Sequence, residues 1–203
     1  MASQGKRGNR SLLFLVAGIC GILGSILPLA LTLSATFLSS WFRWDTNALS
    51  ELGVGDQAVL FNSAVILGGL LNLPFAAGLY RYLGGERIAR AGVLAILAGS
   101  VALLLVGVFT VDYLVLHAIV ALGYFFLVPI GFLLIGFGSK DSLLRIVSLA
   151  CGTVALVAIL VLPIVVAELH LKVGFAVPEL AEALAVLVWT MLLSAVLLKK
   201  SGF

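Results

Sequence analysis

Long apolar runs separated by short polar segments dominate the chain. Six runs occur, at about residues 11–33, 59–79, 91–109, 114–137, 146–166 and 183–198. They are close to the ~20 residues that a helix needs to cross ~30 Å of hydrocarbon. Because backbone polar groups in lipid need partners within their own segment, the runs are expected to be helices. The pattern predicts an all-α polytopic membrane protein, a single domain over residues 1–203 that forms a six-transmembrane-helix bundle.

Composition agrees with lipid as the main solvent. Of the 203 residues, 63% are hydrophobic and 10% are charged, whereas about a quarter of the residues in a soluble domain are charged. The net charge of +3 does not indicate a nucleic-acid partner, because the basic residues lie in short clusters between apolar runs. Membrane lipids are the expected partners, and no cofactor is expected.

The basic clusters also predict an orientation. All Lys and Arg residues except Arg43 and Lys172 lie at the termini or in the connections after the second and fourth runs. Since basic residues favour the cytoplasmic side, we expect a plasma-membrane protein with both termini in the cytoplasm. The opposite, outer side then carries most of the acidic residues, including Glu179 and Glu182 just before the sixth run.

The longest polar interruption follows the first run and reads WFRWDTNALSELGVG, Trp41 to Gly55. Trp41 and Trp44 suit a membrane–water boundary, where an aromatic ring keeps its polar edge wet. A short helix through Glu51 is expected, with Gly53 as a left-handed stop. Its cap is expected to be Asp45, Thr46 or Asn47. The stretch predicts an amphipathic interfacial helix in the first outer loop.

Polar side chains from separate segments lie at a similar depth near the outer boundary. Such groups are costly in lipid unless they meet a partner or a cavity, which makes them candidates for a functional site. We expect an outer polar pocket of a non-enzymatic module that binds a lipid headgroup or a partner protein. Its predicted ligand-binding residues are Asp45, Asn47, Glu51, Asn62, Asp112 and His117.

Other function classes stay open. A membrane-embedded lipid hydrolase or transferase would use His117 as the base and Asp112 as its orienting partner. A catalytic zinc, with His117, His170 and Glu168 as ligands, is a weaker version because these residues lack a metal-site spacing. The protein could instead be an accessory subunit of a larger membrane complex. A coupled transporter is disfavoured, since no charged residue is expected in the middle of a span.

Three segments resemble a known family. SSWFRWDTNALSELGVG, LFNSAVILGGLL and LLLVGVFTVDYLVLHAIVALGYFFLVPIG are similar to domain-of-unknown-function family 998, six-span hydrophobic proteins of archaea and bacteria. That family is distantly similar to the Frag/DRAM/Sfk group, some members of which are linked to lipid remodelling or membrane organisation. The chain has Thr110-Val111 before Asp112 where such proteins often carry Phe-Pro. The resemblance covers about residues 11–166 and implies a six-span fold, without implying a reaction.

Overall fold

The computed structural model describes residues 2–202, with side chains described from Ser11 onward. Within this range the chain is helical and contains no strand. The α-helices are α1 (Ala2–Leu38), α2 (Ala58–Tyr82), α3 (Arg87–Val106), α4 (Leu114–Gly138), α5 (Ser142–Leu156), α6 (Leu162–Glu168) and α7 (Ala176–Ser201). A π-helical turn, Val157–Val161, joins α5 to α6, and 3-10 helices cover Leu49–Val54 and Val111–Tyr113.

In the described part of the chain, six segments are long and apolar enough to cross a membrane, with α5, the π-helical turn and α6 together forming the fifth. Helices adjacent in sequence pack against one another from α1 to α5, α5 packs against α7, and α7 returns to α1. The spans therefore form a closed ring. We call the side that holds residues 39–57, 107–113 and 169–175 the connector face, and the side that holds the C-terminus the terminal face.

Glycine allows two of these helices to meet backbone to backbone. A Cβ atom at Gly92 of α3 would lie 2.5 Å from the Gly131 carbonyl oxygen, and one at Gly131 of α4 would lie 2.7 Å from the Gly92 carbonyl oxygen. Small residues at helix crossings are the usual means of close packing in membranes, where burial of apolar surface supplies no driving force between helices. The α3–α4 contact therefore depends on the absence of two side chains.

The terminal half of the ring is a tightly packed core. Trp189 of α7 stacks on Phe132 with ring centroids 4.1 Å apart, and meets Phe75 edge to face at 5.8 Å. The indole N–H of Trp189 donates a 2.8 Å hydrogen bond to the Ser148 hydroxyl of α5. Because a buried indole N–H needs an acceptor, this bond fixes how α5 and α7 face each other.

The predicted interfacial helix is present, with different details. It is the 3-10 helix Leu49–Val54, which we call the connector helix. The Glu51 carboxylate accepts a 3.0 Å hydrogen bond from the Ala48 backbone N–H, so Glu51 closes the first turn from inside the helix. Gly53 lies within the helix and not at a left-handed stop, since the glycines with positive φ in the described chain are Gly84 and Gly202.

The sixth span begins earlier than the hydrophobic pattern predicts. It starts at Ala176 and not near residue 183, so Glu179 and Glu182 belong to the helix and not to the preceding connection. Backbone N–H groups of Gly174 and Ala176 donate to Trp44 and Asn47 carbonyl oxygens at 2.9 Å each. These bonds to the first loop satisfy groups at the helix start, where intrahelical acceptors are missing.

The seam between α4 and α7 near the connector face, beside α6, is loosely packed. None of the residues of α6 is buried, and α6 packs chiefly against the π-helical turn before it. On the terminal side, by contrast, α5 packs against both α4 and α7. The ring is therefore closed by α5 near the terminal face, while the gap between α4 and α7 near the connector face lacks an equally well packed helix.

Candidate functional site

The polar residues predicted in the first loop pair with one another. Arg43 and Asp45 form an ion pair at 2.9 Å. The Asn47 side-chain amide donates to the Glu51 carboxylate, and its oxygen accepts from the Arg43 backbone N–H at 2.9 Å. The Arg43 guanidinium, hydrogen-bonded to Asp45, holds the pKa of that carboxyl below its ordinary value. These contacts shape the loop.

Asn62 and His117, predicted to lie about one turn into the lipid, also find local partners. The Asn62 amide donates to the Gly53 carbonyl oxygen at 3.0 Å, and its buried side-chain oxygen has no hydrogen-bond partner among the described residues. His117 is buried, with Nδ1 2.7 Å from the Phe109 carbonyl oxygen. Since a carbonyl oxygen only accepts, Nδ1 carries the proton. Each residue thus ties its helix to a neighbouring backbone segment.

Among the described residues, no hydrogen bond joins His117 to Asp112, the predicted catalytic pair. Asp112 is exposed, and the hydrogen bond of His117 is made to Phe109. Glu168 and His170 are exposed at the end of α6. Among the described residues, no three His, Cys, Asp or Glu side chains come together as a group that could hold a metal ion.

A cavity lies beside this network, inside the ring. It has a volume of about 130 Å³ and is lined by residues of α1, α2, α3, α4, α7 and the connector helix. The six predicted site residues are not part of its lining. An engineered apolar cavity of about 150 Å³ accommodates benzene, so this cavity has room for a ring or for a short stretch of one hydrocarbon chain.

The cavity wall is mostly apolar, with a few polar groups. Ser50 of the connector helix, Thr32 of α1 and Glu179 of α7 line it toward the connector face. Gly24 and Asn72 line its deep end, roughly 20 Å from the connector-face ends of α1 and α2 at a rise of about 1.5 Å per residue. A mostly apolar wall with a few polar groups suits an amphiphilic molecule.

Glu179 joins the cavity wall to the first loop. Its carboxylate accepts a hydrogen bond from the Leu49 backbone N–H at the start of the connector helix. Glu179 is 8% exposed, so this contact takes place away from bulk solvent. From the sequence, Glu179 was predicted to lie in the outer connection before the sixth span. Pro178 could have revealed the earlier helix start, because proline is well tolerated in the first turn of a helix.

Glu182 lies one turn further along α7 and is completely enclosed. Its side chain is 0% exposed, and neither carboxylate oxygen has a hydrogen-bond partner within the described part of the chain. It interacts electrostatically with Glu179 and with Tyr124 of α4. A buried carboxylate without partners is costly. Glu182 is therefore the described polar side chain whose burial is least explained by its contacts.

Six apolar helices in a closed ring define a multi-span helical membrane protein. Residues 22–196 match the family described as a protein of unknown function, DUF998, and the chain belongs to that family. Searches among curated proteins and among solved structures found no match.

Proposed function

We propose that the protein is a non-enzymatic membrane module that binds a single-chain amphiphile in the cavity, with the polar group toward the connector face. The observation that carries this proposal is the cavity itself, which is apolar along most of its length and has Ser50, Thr32 and Glu179 toward one end. Binding sites for small amphiphiles have this character, an apolar concavity with a few placed polar groups.

The ligand would enter sideways, from the lipid. Ala121 and Phe125 of α4 and Ala183 and Leu187 of α7 line the cavity on either side of the α4–α7 gap. This gap is the seam that α6 covers loosely, since α6 buries none of its residues. A volume of about 130 Å³ holds only part of a long chain, so the remainder would pass through this gap into the bilayer.

The proposed binding site is the cavity, and the six site residues predicted from the sequence lie outside its lining. Asp45, Asn47, Glu51, Asn62 and His117 act as its frame, because their contacts hold the first loop and the helix ends beside the cavity. Asp112 is exposed and takes no part in this frame. In this proposal the connector face is the outer face of the plasma membrane, and both termini are cytoplasmic, as the distribution of basic residues favours.

The enzymatic alternative gains no support from the contacts. The predicted orienting partner of His117 was Asp112, whereas the Nδ1–H of His117 donates to the Phe109 carbonyl oxygen. A role as an accessory subunit of a membrane complex stays a separate prediction, which the size of the gently extracted protein would test.

Photolabelling tests the proposal. The protein would be reconstituted into phosphatidylcholine nanodiscs with decanol that carries a diazirine, and crosslinks would be mapped by mass spectrometry. Labelling is expected at cavity-lining residues such as Tyr124 and Phe125. Ala121→Phe, which fills the cavity, should reduce that labelling at least tenfold. Ala118→Phe, the same change at an exposed position of the same helix, should leave it unchanged. Equal labelling in both variants would overturn the proposal.

A further inference from the structure

Two carboxylates stand together where the fold offers them no positive partner. Glu179 lines the cavity, and neither oxygen of Glu182, one turn along α7, is hydrogen-bonded to a residue that the structure describes. Among the described residues, the ion pair joins Arg43 to Asp45 in the exposed loop. The nearest cationic side chain in the preceding connection, Lys172, is exposed. No basic residue lines the cavity.

The described groups that face this pair supply no positive charge. Glu51 of the connector helix adds a third carboxyl group near Glu179, and Tyr124 of α4, a neutral phenol, lies near Glu182. The contact that compensates Glu179 is the Leu49 backbone N–H. Two negative charges this close are costly where the dielectric constant is low, and a positive ligand against Glu179 would offset that cost.

A metal ion fits this setting poorly. Calcium takes six to eight oxygen ligands, and magnesium requires near-octahedral oxygen coordination, whereas the cavity wall is largely hydrocarbon. Phe61, Tyr124 and Phe125 line the same cavity, and aromatic faces attract organic cations. The chemistry therefore matches an ammonium group that carries a hydrocarbon chain.

We propose that Glu179 and Glu182 form a recognition site for the ammonium group of a cationic single-chain amphiphile, a long-chain amine. Glu179 contacts the ammonium group at the cavity wall, and Glu182 supplies a second charge immediately behind it. The hydrocarbon chain passes between α4 and α7. This inference rests on the proposed function, since it names the class of amphiphile that the same cavity selects.

Competition in the same nanodiscs tests the inference. Decylamine, decanol and decanoate would each compete with the diazirine-bearing decanol for labelling of α4 and α7. In the native protein the amine should displace the probe at a concentration at least tenfold lower than the alcohol, and the acid should be the weakest. Glu182→Gln and Glu179→Gln should each reduce the preference for the amine to threefold or less.

Glu168→Gln is the matched control, because Glu168 lies near the connector face and is exposed. It changes the same charge without touching the cavity, so the native preference should persist.

If the amine and the alcohol compete equally in the native protein, the cation site is wrong while amphiphile binding stands. If Glu182→Gln and Glu179→Gln retain the full preference, the site is also wrong. If no compound competes and the probe labels nothing in the cavity, the proposed function itself fails. Should the glutamine variants not fold, the three-compound comparison in the native protein decides.

Discussion

The Glu179 carboxylate accepts a hydrogen bond from the Leu49 backbone N–H, and this bond joins the first turns of α7 to the start of the connector helix. The two residues are 130 positions apart in sequence, and both line the cavity. The bond satisfies a helix N-terminal N–H that has no acceptor within its own helix. It also holds Glu179 against the cavity wall.

We predict that Glu179→Ala lowers stability more than Glu179→Gln. The alanine variant leaves the buried Leu49 N–H without an acceptor, which costs about 1–3 kcal/mol, whereas glutamine retains a side-chain oxygen. Thermal unfolding in nanodiscs, followed by circular dichroism, measures both. Equal loss in the two variants would show that the bond to Leu49 does not stabilise the fold.

The α3–α4 crossing gives a second prediction. Gly131→Ala should destabilise the protein by about 1–3 kcal/mol, the usual cost of forcing atoms into a packed core, because the new methyl group would lie 2.7 Å from the Gly92 carbonyl oxygen. Gly123→Ala is the control on the same helix, since its nearest neighbour there is 3.5 Å away at Ala102. Unfolding midpoints measure both changes. The prediction fails if the two variants unfold at the same temperature.

The Arg43–Asp45 pair predicts a pH dependence. Because the pKa of Asp45 is lowered in the folded protein, the stability that the pair adds is present above the ordinary carboxyl value of about 3.9 and is lost as the pH falls through the folded pKa. Its contribution to stability should be small, since the pair is exposed. Titration of the Asp45 side-chain carbon by NMR measures the shift. Arg43→Gln should return the pKa of Asp45 toward its ordinary value, and an unchanged titration would contradict the assignment to Arg43.

Orientation is tested by cysteine labelling in intact cells. With Cys20 and Cys151 replaced by alanine, Thr46→Cys on the connector face should react with a membrane-impermeant maleimide, because that face is expected to be external. Gly85→Cys in the turn between α2 and α3 should react only after the cells are opened. Both positions are exposed, so access to the side chain is matched. The reverse pattern would invert the proposed topology.

The hydrogen-bond partners of the polar residues could not be predicted from the sequence. Asn62 and His117 were predicted to contribute to a polar pocket, and their hydrogen-bond partners are the Gly53 and Phe109 carbonyl oxygens. Backbone acceptors of this kind leave no trace in residue types. The six predicted residues stay a hypothesis about ligand binding, and the cavity beside them became visible only when the helices were arranged in space.

The sequence by itself determined the six membrane-spanning helices, since the length of an apolar run and the need to satisfy backbone groups in lipid leave little alternative. It also predicted the interfacial helix, from aromatic and polar residues in one stretch. Only the tertiary structure decided that Glu179 and Glu182 are buried. Their hydrophilic side chains belong in water by composition, but α7 extends past them, Leu49 supplies a donor, and the neighbouring helices enclose Glu182. Burial depends on which segments pack around a side chain, and that information is distributed over the whole ring of helices.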